Sequence, residues 1–157
     1  MNGASHIIGG VTSAVWLGYH RPSELVVVAI ASLLPDIDRH NSLIGRCIPI
    51  LPRVIESMVG KRTITHSLFI CGIMTLLLRQ LMPHIAALFL IGFISHICLD
   101  LLTGRVALLW PLPPSFGISF GIPPVFIETA AMVLWGVWVS FGGYKQFIVI
   151  YQGGFFT

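Results

Sequence analysis

Ile85-Ala86-Ala87-Leu88-Phe89-Leu90-Ile91-Gly92-Phe93-Ile94-Ser95-His96-Ile97-Cys98-Leu99-Asp100-Leu101-Leu102, residues 85–102, holds a single charged side chain, Asp100, close to its end. At 1.5 Å per helical residue a run of this length covers about 27 Å, close to the thickness of a bilayer's hydrocarbon core, and so reads as a transmembrane helix. Working outward, residues 64–83 and 123–142 are apolar runs of the same kind. Residues 4–19 and 23–38 are shorter and carry Ser, Thr and His, which fits a thin hairpin of spans or a re-entrant pair. The reading is an all-α polytopic membrane protein of about four to five transmembrane or re-entrant helices, forming one domain over residues 1–157.

Composition agrees. Apolar side chains make up 55% of the chain and charged ones 10%, with a mean hydropathy of +0.90, too apolar for an ordinary water-soluble domain. Met1-Asn2-Gly3-Ala4-Ser5-His6 has neither a basic run nor a small-residue cleavage site, so the first helix is read as retained. Cys47, Cys71 and Cys98 are odd in number and lack C-x-x-C spacing, which marks them as reduced packing residues.

Two connections stand out: residues 39–63, rich in Pro, Gly and Arg, and residues 103–123, which include Pro111, Pro113, Pro114 and Pro123. Placing both on one side puts Arg39, Arg46, Arg53, Lys61, Arg62 and Arg105 there, against Arg21, Arg79 and Lys145 opposite. That bias puts the long connections in the cytoplasm. The formal charge of +3 is then a matter of topology and anionic lipid. No basic stripe with interleaved aromatics argues for nucleic acid.

The ionisable residues become informative once set on this topology. His6 opens the first segment, Asp36 and Asp38 close the second, His66 opens the third, and His96 and Asp100 end the fourth. Alternating direction brings all six to one membrane face. His96 and Asp100 are spaced i, i+4, on one side of a helix. In Leu34-Pro35-Asp36-Ile37-Asp38 the proline disfavours helix at Leu34 and both carboxylates follow, as at a helix end facing a cavity. Glu128 enters from the same face as a further ligand or a base.

Each residue also has a plainer explanation. Thr65 could cap the helix that follows, making His66 incidental. Asp38 could orient a histidine from outside the ligand set. His20, His40 and His84 are read as solvated, and Trp16, Trp110, Trp135 and Trp138 as interface or packing aromatics. A buried charge costs about 2.5–3.5 kcal/mol at a helix centre, however, so a group of them needs an offsetting partner. A divalent cation neutralises carboxylates and takes imidazole lone pairs, where His–Asp pairing alone does so only partly. His/carboxylate donors without thiolate suit zinc, manganese or iron, as one or two ions. A metal-activated water can attack an ester or phosphoester, with Asp38 or Glu128 as candidate general base. Arg62 and Arg105 either hold a phosphate or are simply topology charges.

Taken in order, His6, Leu33-Leu34-Pro35-Asp36-Ile37-Asp38, Thr65-His66-Ser67, Gly92-Phe93-Ile94-Ser95-His96-Ile97-Cys98-Leu99-Asp100-Leu101-Leu102-Thr103 and Leu108-Leu109-Trp110-Pro111 resemble the YdjM-like membrane-bound metal-dependent hydrolases of bacterial inner membranes. The resemblance runs from residue 6 to about residue 128. It implies a metal-dependent hydrolase with His6, Asp36, His66, His96 and Asp100 as metal residues, and it carries no substrate with it. The chain departs from the family in having Lys61-Arg62-Thr63 where a His-Arg-Gly stretch is common, and in a shorter linker between Thr103 and Trp110.

The expectation is thus a multi-pass inner-membrane hydrolase, its site facing the cytoplasm, acting on an ester or phosphoester, with a lipid or phosphorylated lipid intermediate as first substrate. Two rivals stand beside it. One is a divalent-metal carrier or sensor, against which the apolar stretches Met74–Leu78 and Ala86–Ile91 count. The other is a structural membrane protein whose buried charges merely pair.

Overall fold

The structure, a computed structural model, describes residues 2–47, 50–59, 63–117, 123–143 and 145. Its regular elements are helical: α1 (Gly3–Trp16), α2 (Pro22–Ala31), α3 (Leu43–Cys47), α4 (Ile50–Val59), α5 (Leu68–Leu81), α6 (Pro83–Thr103) and α7 (Pro124–Trp138). Short 3-10 turns at Leu34–Asp38 and Ile64–His66 precede α3 and α5, and one antiparallel bridge pairs Val106 with Phe116.

Local chemistry sets the boundaries. Asn2 caps α1 by accepting from the Ala4 N–H, and Gly18, at a φ of 89°, takes the left-handed turn that releases the chain toward α2. Prolines at 22, 83 and 124 open α2, α6 and α7, where a missing N–H costs nothing. Pro35 acts at the other end of α2. It has no N–H to give, so the α-helix stops and the chain tightens into the 3-10 turn carrying Asp36 and Asp38. Ser67, not Thr65, caps α5 by accepting from the Phe69 N–H at 3.2 Å. His66 is held in the turn just before it, which leaves Ser67 extended in the cap position.

Helix α6 is the axis of the bundle, with α1, α2 and α5 packed around it. Ala31, Cys71, Phe89, Phe93 and Ile97 form one core, and Ala14, Val28 and Leu88 the other. At Gly92 a Cβ would stand 2.6 Å from the Val28 carbonyl oxygen, so only glycine lets α2 lie this close to α6. Helix α7 joins α1 through Trp135 Nε1, which donates to Thr12 Oγ1 at 2.9 Å. Phe69, Leu76 and Leu77 of α5 and Phe126, Val133 and Leu134 of α7 point outward. Such an apolar exterior suits lipid.

The all-helical expectation holds for the described residues. Of the expected about four to five spans, α6, with 21 residues and a length of about 31 Å, is the one described helix long and apolar enough to cross a membrane; α5 and α7 are shorter apolar helices. The connection at residues 39–63, read as rich in Pro, Gly and Arg, contains α3 and α4. Ile50, Val54 and Met58 form an exposed apolar stripe on α4 at four-residue spacing, a pattern obscured in the sequence by the intervening Pro52, Arg53 and Ser57. Cys71 is buried as a packing residue, whereas Cys98 is exposed.

Candidate metal centre

Four elements deliver polar side chains to one end of the bundle: the start of α1, the turn after α2, the turn before α5 and the last two turns of α6. His6, Asp38, His66, His96 and Asp100 are fully buried there and Asp36 is 2% exposed. Asp36, His66, His96 and Asp100 each offer one donor atom, all within 4.8 Å of one another.

The separations describe a compact polyhedron. His66 Nε2 lies 3.4 Å from His96 Nε2, 3.2 Å from Asp100 Oδ2 and 4.0 Å from Asp36 Oδ1. His96 Nε2 lies 3.7 Å from Asp100 Oδ2 and 3.9 Å from Asp36 Oδ1. Donors about 2.0–2.1 Å from a common centre stand roughly 3.3–3.4 Å apart at the corners of a tetrahedron. Five of the six separations, at 3.2–4.0 Å, lie near that figure, and the donors are of the types that bind first-row divalent ions.

Outer contacts aim the inner atoms. The α2 terminus leaves the Ser32 carbonyl without a helical partner, because Pro35 has no N–H and the Asp36 N–H bonds to Leu33 O. His96 Nδ1 takes it, donating to Ser32 O at 2.7 Å. That bond fixes the proton on Nδ1 and turns the Nε2 lone pair inward. Asp38 Oδ2 stands 3.8 Å from His66 Nδ1, and Thr65 Oγ1 is 3.0 Å from the same nitrogen, so both act on the outer side of that ring. The inner face then gathers two imidazole lone pairs and two carboxylate oxygens, acceptors that a shared cation would satisfy together.

His6 stacks on His96, ring centroids 3.7 Å apart, and its Nε2 lies 3.5 Å from Asp100 Oδ1. Neither ring nitrogen of His6 has a hydrogen-bond partner among the described residues. A buried polar group left this way costs about 1–3 kcal/mol, so His6 also fits a site that takes a cation.

The other sequence candidates fall elsewhere. Glu128 Oε1 accepts from the Asn2 backbone N–H at 2.7 Å and is not part of the four-residue group. Arg105 is exposed, and Arg62 lies outside the described residues. The arginine brought to the cluster is Arg39, whose Nη1 donates to Asp36 Oδ1 at 3.1 Å. Its three-residue spacing from Asp36 was a signal available in the sequence, concealed there because Arg39 also counted as a topology charge. His84, read as solvated, is mostly exposed but pairs with Glu24 at 3.0 Å.

Fold and site together define a helical, lipid-suited bundle with a buried His/Asp cluster, able to hold a metal ion, at one end. The chain belongs to the YdjM inner membrane protein family, whose model matches residues 1–154. It is 38% identical over 118 residues to the uncharacterized protein YvsG of Bacillus subtilis, an alignment covering 71% of this chain and 74% of that one. It is 30% identical over 125 residues to the inner membrane protein YdjM of Escherichia coli, covering 70% of this chain and 63% of that one, and equally to the protein of that name in Shigella flexneri. No solved structure matches the chain.

Proposed function

We propose that this protein is a multi-pass inner-membrane hydrolase, dependent on a divalent metal, that cleaves an ester or phosphoester at the cytoplasmic membrane interface. The observation that carries the reading is the convergence of His66, His96, Asp36 and Asp100, with donor atoms within 4.8 Å of one another, inside a bundle of largely apolar helices. A divalent ion held by these four, zinc before manganese or iron given the near-tetrahedral separations, would supply a Lewis acid and an activated water near neutral pH.

The chain's own residues divide the remaining work. Ser32 O fixes the orientation of His96, and Asp38 with Thr65 fixes that of His66. In this reading Asp38 is a positioning residue and not a base. His6, whose Nε2 lies 3.5 Å from Asp100 Oδ1, would be a fifth donor to an ion held there. Glu128 steadies the start of α1 from α7. The apolar stripe of α4 rests on the membrane surface and keeps the site at headgroup level. The basic residues on the connections at this end favour a cytoplasmic location.

A carrier is less well supported. Between the cluster and the Glu24–His84 pair near the opposite helix ends, the buried side chains Ala14, Val28 and Leu88 are apolar and offer an ion no stepping stones.

The test is elemental analysis of detergent-purified protein beside a His96→Ala/Asp100→Ala variant, with monodispersity checked for both. Stoichiometric metal in the wild type, lost in a folded variant, followed by metal-dependent release from a panel of phosphoesters and esters, is the expected result. Wild type that takes up no zinc, manganese or iron on reconstitution sinks the reading.

A further inference from the structure

Next to the metal cluster, on the outer side of Asp36, lies a second cavity of about 120 Å³. Asn2, Asp36, Arg39, Asn41, Ser42 and Arg46 supply its polar wall. It has room for several water-sized groups. Asp36 stands between the two spaces: its Oδ1 faces His66 and His96 on one side and the Arg39 guanidinium on the other.

The donors around this cavity are unequally committed. Ser42 Oγ is fully used, donating to Asp36 O at 2.7 Å and accepting from the Gly45 N–H at 2.8 Å, so it braces the loop that presents the arginines. Asn2 Oδ1 is engaged in capping α1, and its amide nitrogen is left for another acceptor. Arg39 spends one terminal nitrogen on Asp36 and is 33% exposed, with the rest of its donor fork open. Arg46 is exposed, and no carboxylate among the described residues pairs with it. Two guanidiniums thus share one cavity with one carboxylate, which is itself turned toward the metal position. Once Asp36 serves as a ligand there, its negative charge is drawn to the ion and the two arginines face the cavity with little to offset them.

We infer that this cavity is an oxyanion subsite that holds a phosphate group of the substrate. Arg39 and Arg46 grip its oxygens, with Asn41 and Asn2 amides at the rim, and the phosphorus lies next to the metal position. Guanidinium forks match phosphate oxygens bidentately, which distinguishes a phosphoester from a carboxylic ester at this site. The inference rests on the hydrolase reading for its purpose and makes that reading specific: the class of substrate is a phosphoester. Arg39 also links the two halves, since its bond to Asp36 couples anion binding to the geometry of a metal residue.

The experiment is calorimetric titration of inorganic phosphate into the detergent-purified full chain, metal-loaded and metal-stripped, for wild type, Arg46→Gln and Arg39→Lys. Metal content is measured in each. Wild type binds phosphate in both states, and Arg46→Gln weakens it about ten- to a hundredfold in both, with metal content unchanged. Arg39→Lys, which keeps the charge and loses the fork, weakens it by a smaller factor. Phosphate binding that is absent, or equal in wild type and both variants, overturns the subsite whatever the metal content shows. Arg46-dependent binding in a chain that takes up no metal leaves the subsite standing and removes the hydrolase. Competition assigns the source: a short-chain phosphatidic acid displacing phosphate far better than glycerol phosphate identifies a lipid headgroup, and equal displacement identifies a soluble phosphate ester.

Discussion

His96 Nδ1 and the Ser32 carbonyl oxygen, 64 residues apart in sequence, meet at 2.7 Å across the α2–α6 contact. That bond depends on a proline that frees the carbonyl and a glycine that lets the helices approach. The geometry of the His/Asp cluster therefore depends on packing residues that bear no ligand chemistry.

Gly92→Ala tests this dependence. The added methyl would meet the Val28 carbonyl at 2.6 Å and the Ala31 Cβ at 2.8 Å, both on a neighbouring helix that must move away. Overpacking of this kind costs about 1–3 kcal/mol. Pulling Ser32 O away from His96 also costs about ten- to a hundredfold in metal affinity. Thermal melting and competition with a metal indicator should both register the change. Wild-type affinity in a variant that does melt lower would mean that the Ser32 bond does not position His96.

Asp36 and Asp38 lie two residues apart in one turn and face different partners. Asp36 turns its carboxylate into the four-residue group, whereas Asp38 faces the outer nitrogen of His66 at 3.8 Å. Asp36→Ala should abolish stoichiometric metal. Asp38→Asn should keep the stoichiometry and weaken affinity about ten- to a hundredfold. Chelator competition on the two purified variants separates the roles, and loss of stoichiometry in both would place Asp38 inside the ligand set.

Glu128→Gln gives a contrasting expectation. Its carboxylate holds the Asn2 N–H at an exposed position, 2.7 Å away, and touches none of the cluster. Metal content should match wild type, with a stability loss of about 1 kcal/mol or less, since exposed charged contacts contribute little. A variant of unchanged stability that binds no metal would return Glu128 to the ligand group.

Periodicity and topology made most of the site legible. The i, i+4 spacing of His96 and Asp100 survives as a 3.7 Å contact, and alternating helix direction placed His6, Asp36 and His66 at the same end. Three features were hidden for physical reasons. Helix α4 shows its stripe only when Pro52 is known to sit in the first turn. Glu128 lies near enough in sequence register to suggest the site, yet α7 packs on the outside of α1. Arg39 served equally well as a topology charge, and only the fold of the turn shows that it reaches Asp36.

Metal and stability should be linked, because the four donors come together only in the folded bundle. A ligand that binds only the folded state stabilises it by about 2.7 kcal/mol at a free concentration of 100 times its Kd. For a chain of this length that corresponds to a rise in Tm of roughly 5–11 °C. Detergent-purified wild type should therefore melt several degrees lower in chelator than with added zinc or manganese. His96→Ala/Asp100→Ala should show no such difference, since it has lost two of the four clustered donors. The variant also controls for ions acting on the detergent or on surface carboxylates, which it retains. If wild type melts identically in chelator and in metal while remaining monodisperse, no ion occupies the cluster. Asp36, His66, His96 and Asp100 then stabilise the bundle through their own hydrogen bonds, as in a structural membrane protein with paired buried charges.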